Sequence, residues 1–79
     1  MKFLYFSASW CGPCRTLGPI MNEVSQQIPV QKVDVDSEFE LASQYNVRNV
    51  PTVVLLDSGQ EVKRFVGVQP KETYLNVVK

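Results

Sequence analysis

The sequence has no histidine and only two cysteines among its 79 residues, and these scarcities exclude several classes of protein at once. Structural zinc takes four Cys or His ligands. A zinc site within one chain is therefore not expected, although two chains could pool four thiolates. Small secreted scaffolds stapled by disulfides carry more cysteines at wider spacing. Charge of one sign is also lacking: eight Lys plus Arg balance eight Asp plus Glu, for a net charge of zero. That leaves no basic groove for nucleic acid and no polybasic patch for a membrane surface. No apolar run approaches the ~18–20 residues needed to span a bilayer. The opening Met1-Lys2-Phe3-Leu4-Tyr5-Phe6 is apolar but short, without the ~7–15-residue core and cleavage site of a secretory signal. It reads as a first strand, and the expected location is the cytoplasm.

What remains is an ordinary globular mixture, 44% hydrophobic and 20% charged, of a length for one domain over residues 1–79. At this size only about 60–65% of the unfolded chain's surface is buried, so the core is thin. Residues 2–7 are nearly unbroken apolar, the pattern of a strand buried on both faces. From Cys14 onward Leu17, Ile20, Met21, Val24 and Ile28 recur at helical spacing, with Pro19 expected to kink the helix rather than end it. Residues 30–35 alternate as a second strand. Asp36 and Ser37 offer capping oxygens, and Ser37 with Glu40 predicts a capping box for a helix through about Tyr45. Residues 52–56 and 61–66 flank Asp57-Ser58-Gly59-Gln60 as a hairpin, and Pro70 opens a last helix packed by Tyr74, Leu75 and Val78. The order is β-α-β-α-β-β-α: an α/β fold with a four-stranded mixed sheet and three helices. The first two strands run parallel and the last two antiparallel.

The two cysteines stand at the junction of the first strand and first helix, in Trp10-Cys11-Gly12-Pro13-Cys14. A bridge between them would close too short a loop to restrict the unfolded chain much, so their use is chemical rather than structural. A helix N-terminus presents unpaired N–H groups and the positive end of the macrodipole, and both favour a thiolate. Cys11 at the mouth of the helix gains most and is assigned the nucleophilic role. Cys14, one turn further in and on the shielded side, acts second. Cys11 would attack a target disulfide, and Cys14 would then attack Cys11 and release the reduced target. Gly12 allows the tight turn and Pro13 stiffens it.

Trp10-Cys11-Gly12-Pro13-Cys14 resembles the active-site motif of the thioredoxin family. The likeness continues through Pro19, Lys32, Val50-Pro51-Thr52, Gly59 and Gly67, and so spans essentially the whole chain. It implies a thioredoxin-like fold lacking the usual first strand and helix, similar to short forms from phages and archaea. It further implies a protein dithiol–disulfide oxidoreductase working as a reductant, whose only redox group is the Cys11–Cys14 disulfide, with no added cofactor or metal. Its partners would be disulfide-containing proteins and an electron donor, either a reductase of the thioredoxin type or glutathione. The resemblance makes Pro51 a cis-proline facing the disulfide, and Val50 and Gly67 the borders of a substrate groove. Trp10 would contact substrate, and the protein would work as a monomer. Two alternatives stand beside this: a thioredoxin-fold binding subunit, and a glutaredoxin-like, glutathione-dependent reductant. A metal-bridged dimer through the cysteines is a third.

The main departure from the family pattern is Tyr5, where an aspartate usually lies beneath the second cysteine as proton acceptor. A phenol with a reference pKa of about 10 is no substitute base near neutral pH. Lys32, the usual partner of that aspartate, would bond the Tyr5 phenol or turn to solvent near Asp34. Tyr5 and Lys32 are thus the expected modulators of the thiols, and the alternative for Tyr5 is simple filling of core volume.

Overall fold

Seven elements follow the expected order in the computed structural model, which describes residues 1–78. They are β1 (Lys2–Ser7), α1 (Gly12–Val24), β2 (Val30–Asp34), α2 (Phe39–Gln44), β3 (Thr52–Asp57), β4 (Gln60–Val66) and α3 (Lys71–Asn76). The sheet order is β2-β1-β3-β4. β1 pairs parallel with β2 and antiparallel with β3, and β3 pairs antiparallel with β4. With both edges occupied, β1 is covered on its two faces as well, and its unbroken apolar run is the reason.

Alternation along β1 divides the interior in two. Phe3 and Tyr5 point to one face, where Leu17, Met21 and Val24 of α1 and Tyr74 of α3 close over them. Leu4 and Phe6 point to the other, against Val33, Val54, Leu56 and Ala42 of α2. Fully burying each such side chain contributes roughly 1.5–3 kcal/mol, so β1 alone anchors a large part of a small core. Ring contacts orient the first layer: Tyr74 meets Phe3 and Phe65 edge-on, at 5.9 and 5.0 Å between centroids. The Tyr74 hydroxyl is buried without a well-formed hydrogen bond, the Gln69 backbone being the nearest candidate. An unmatched buried hydroxyl costs stability, so Tyr74→Phe is expected to stabilise the fold by about 1 kcal/mol. A higher urea midpoint at unchanged slope checks this, and a lower midpoint contradicts it.

Two boundaries differ from the sequence expectation, each for a local reason. The first helix starts just after Cys11, as expected, runs on through Pro19 and ends at Val24. Ile28 still reaches the same core layer, but from the connecting turn. The capping box at Ser37 does not form: the N-cap of α2 is Glu38, with no side-chain hydrogen bond. The chain leaving β2 is instead held by Asp34, whose carbonyl accepts the Glu38 N–H (2.8 Å) and whose Oδ1 accepts the Asp36 N–H (2.9 Å). At its other end α2 closes on Asn46 at φ 55°, with Val47 N–H bonded to Ala42 O and Asn46 N–H to Ser43 O. The Arg64 guanidinium on β4 donates to the Tyr45 and Asn46 carbonyls and forms an ion pair with Glu61, tying α2 to the sheet.

The β3–β4 hairpin turns on Ser58 and Gly59, both at positive φ, as a two-residue connection requires. A bulge between Leu55 and Leu56 steps their partners from Lys63 to Glu61, leaving Val62 between them and exposed.

Candidate functional site

The cysteine loop leaves the C-terminal end of the central strand and enters α1 directly. Cys11 is the N-cap of that helix, in extended conformation (φ −87°, ψ 110°), and its Sγ accepts the Cys14 N–H at 3.2 Å. A sulfur thus stands where an N-cap oxygen usually does, facing the free N–H groups of a 13-residue helix. That environment favours negative charge on Cys11. The two cysteines form a disulfide, with Cα atoms 5.4 Å apart.

Exposure does not separate the pair as the sequence suggested. In the disulfide form Cys11 is 4% exposed and Cys14 6%, both packed with Ala8, Val35 and Val50. Their asymmetry lies in hydrogen bonding instead, because the helix N–H reaches Cys11 Sγ. Trp10 is 68% exposed, and its Nε1–H donates to Asp36 Oδ2 at 2.8 Å. Gly12 and Pro13 form the exposed first turn of α1.

Two segments distant in sequence meet the loop. The Val50–Pro51 peptide is cis, and Val50 packs against the cysteine cluster. Gly67, at φ 85°, donates its N–H to the Pro51 carbonyl at 2.9 Å. The positive φ accounts for glycine at this position. Val50, Pro51 and Gly67 therefore lie together beside the cysteine loop.

Tyr5 sits under the helix start. Its ring belongs to the α1-side core, and its hydroxyl donates to the Cys14 carbonyl at 2.9 Å. Burial pushes this phenol above its ordinary value, opposed by the Ser7 hydroxyl beside it. At neutral pH it is a donor. It joins the first turn of α1 to the central strand, so it does more than fill volume. Lys32 does not bond the phenol; its side chain is exposed and lies along β2 beside the same cavity as Asp34.

That cavity, about 290 Å³, opens beneath the cysteines between Tyr5, Ser7, Cys14, Arg15, Lys32 and Asp34. A second of about 330 Å³ adjoins it through Tyr5, Gly18 and Lys32 and continues along α1 to Ser25. The sequence singles out Tyr5 and Lys32 here, places Asp34 only as a neighbour of Lys32, and does not point to Ser7. The signal was available in the strand period: Tyr5 pairs with Lys32 and Ser7 with Asp34, so all four share one face. Asp36, the indole's partner, was expected to cap a helix.

Similarity to known proteins bears directly on this site. The family model described as Thioredoxin matches residues 2–79. Thioredoxin 1 of Synechococcus elongatus is 42% identical over 77 residues, covering 92% of this chain and 72% of that protein. A bifunctional thioredoxin reductase/thioredoxin of Mycobacterium leprae is 40% identical over 74 residues, which are 89% of this chain and 16% of that one. Among solved structures, a point mutant of Halobacterium salinarum thioredoxin superposes with a TM-score of 0.91 at 39% identity, over 98% of this chain and 70% of that chain.

Proposed function

Because the chain belongs to the thioredoxin family and is a thiol–disulfide oxidoreductase acting on disulfide substrates, we propose a division of labour between its two cysteines. Cys11 attacks the target disulfide and Cys14 resolves the mixed disulfide, so electrons pass from the dithiol to the target. The observation that carries this is the Cys14 N–H on Cys11 Sγ at the head of α1, which stabilises charge on the first sulfur and not the second. Trp10, Val50, Pro51 and Gly67 form the surface that receives an extended substrate segment, and Tyr5 and Lys32 shape the surroundings of Cys14. The pair is its own redox group, with no further cofactor. The exchange runs toward reduction of protein substrates by a monomer, a direction suited to the reducing cytoplasm.

The electron donor we favour is a reductase of the thioredoxin type rather than glutathione. One relative is a reductase fused to a thioredoxin, which supports such a pairing. The thioredoxin relatives favour neither a purely binding subunit nor a glutathione-dependent reductant. Among the described residues no helix is long and apolar enough to cross a membrane.

The test is capture. Reduced protein is expected to cleave a model protein disulfide with dithiothreitol as electron source. Cys14→Ser is expected to accumulate a covalent mixed disulfide through Cys11, visible as a mass increase removed by reductant. A wild-type protein without turnover, or a Cys14→Ser variant that releases substrate at the wild-type rate, would overturn the assignment.

A further inference from the structure

Resolution requires Cys14 to lose a proton while Cys11 is bound to substrate, and the charged and titratable groups facing the cavity leave one acceptor for it, the Ser7 and Ser9 hydroxyls being too weak as bases. On β1, the Tyr5 hydroxyl commits its hydrogen to the Cys14 carbonyl, and burial holds the phenol protonated. On α1, Arg15 is a cation without a lone pair to offer, and Cys11 is occupied at this stage. On β2, the Lys32 ammonium is likewise only a donor. Asp34, half-buried on the same strand, faces the same space. Its Oδ1 accepts the Asp36 N–H at 2.9 Å, which fixes the carboxylate and leaves Oδ2 for water.

We infer that Asp34 accepts the Cys14 proton through water in the cavity that joins them. The inference rests on the reading of Cys14 as the resolving thiol. The Cys14 S–H proton passes to a cavity water, and a proton of that water passes to Asp34, which becomes a carboxylic acid. The Cys14 thiolate then forms a bond to Cys11 Sγ. The bond between Cys11 and the substrate sulfur breaks, and its electron pair leaves on that sulfur, which takes a proton from solvent. Asp34 returns its proton to solvent through the open side of the cavity. At about 30 Å³ per water molecule, a space of about 290 Å³ has room for such a relay. The role usually met by a buried carboxylate under the cysteine is thus moved one strand outward, because position 5 is taken by a phenol that secures the helix. Asp34 acts through water and is a proton-relay residue.

Reaction with an aromatic disulfide such as dithiobis(nitrobenzoate) separates the two steps. Attack by Cys11 releases a first coloured thiolate, and resolution by Cys14 releases the second. Asp34→Asn keeps an Oδ1 for the Asp36 N–H and is expected to leave the first phase unchanged. The second phase is expected to slow about a hundredfold or more at pH 6–7, the lower end of what general-base loss costs. The deficit should narrow as the pH rises and Cys14 ionises unaided, and added acetate should restore part of the rate at pH 6–7. A purely electrostatic Asp34 would give the opposite sign, since removing a negative charge eases thiol ionisation and speeds the second phase. A second phase that is unchanged or faster overturns the proposal. Loss of the first phase in the wild-type protein would instead overturn the exchange reading on which it rests.

Discussion

Cys11→Ser is expected to lower protein-disulfide reduction to the uncatalysed background, a loss of at least about 10³-fold. The other half of the motif offers no replacement. Cys14 lies one turn inside the helix, its N–H already spent on Cys11 Sγ, and the chain has no third thiol. Serine is moreover among the best N-cap residues, and its oxygen can accept the same Cys14 N–H. The variant therefore keeps the helix start and loses only the sulfur. Its thermal midpoint should stay close to that of the reduced parent while turnover disappears, and assaying both on one preparation separates chemistry from folding. Retained turnover would show that the reactive thiol had been misassigned.

The second large effect is on stability. Phe3→Ala is expected to destabilise the protein by about 3–5 kcal/mol. Phe3 is fully buried at the centre of the α1-side core, in edge contact with Tyr74, on the strand paired along both sides. A chain of this length has roughly 4–12 kcal/mol to lose at about 0.05–0.15 kcal/mol per residue, so the variant stands near the folding threshold. Its thermal midpoint should fall by at least about 12 °C, at about 4–8 °C per kcal/mol for so small a domain. Val62→Ala, at the exposed bulge of β4, is the control and should stay within about 0.5 kcal/mol. A Phe3→Ala change below about 1 kcal/mol would mean that the core layer closes over the gap far better than cores of this kind do.

Much of this architecture could be read from the chain, because β1, α1 and the hairpin carry strong periodic patterns and turn residues. The reactive pair was legible too, since two cysteines at a strand–helix junction have few other uses. What escaped were pairings in which one partner is a backbone group or lies far along the chain. The Asp36 carboxylate, a plausible cap for α2, is instead taken by the Trp10 indole 26 residues away. Tyr5 is a core residue by its ring and a helix fastener by its hydroxyl, and its partner is a carbonyl whose side-chain identity predicts nothing. Arg64 likewise seeks two carbonyls at the end of α2. Asp34 was visible as a charge, but only the parallel register with Ser7 turns it toward the cysteines.

The position of β1 has a further consequence, in terms of amide exchange. Its backbone is bonded to β2 on one side and β3 on the other, with side chains covered above and below. Such a strand belongs to the slowest-exchanging cooperative unit, whose amides open only with the whole molecule. The reactive loop hangs from its end, and the Tyr5 hydroxyl binds the loop's second cysteine back to the same strand. The redox centre is therefore built on the last part of the protein to unfold, and solvent reaches its supporting amides only by global opening.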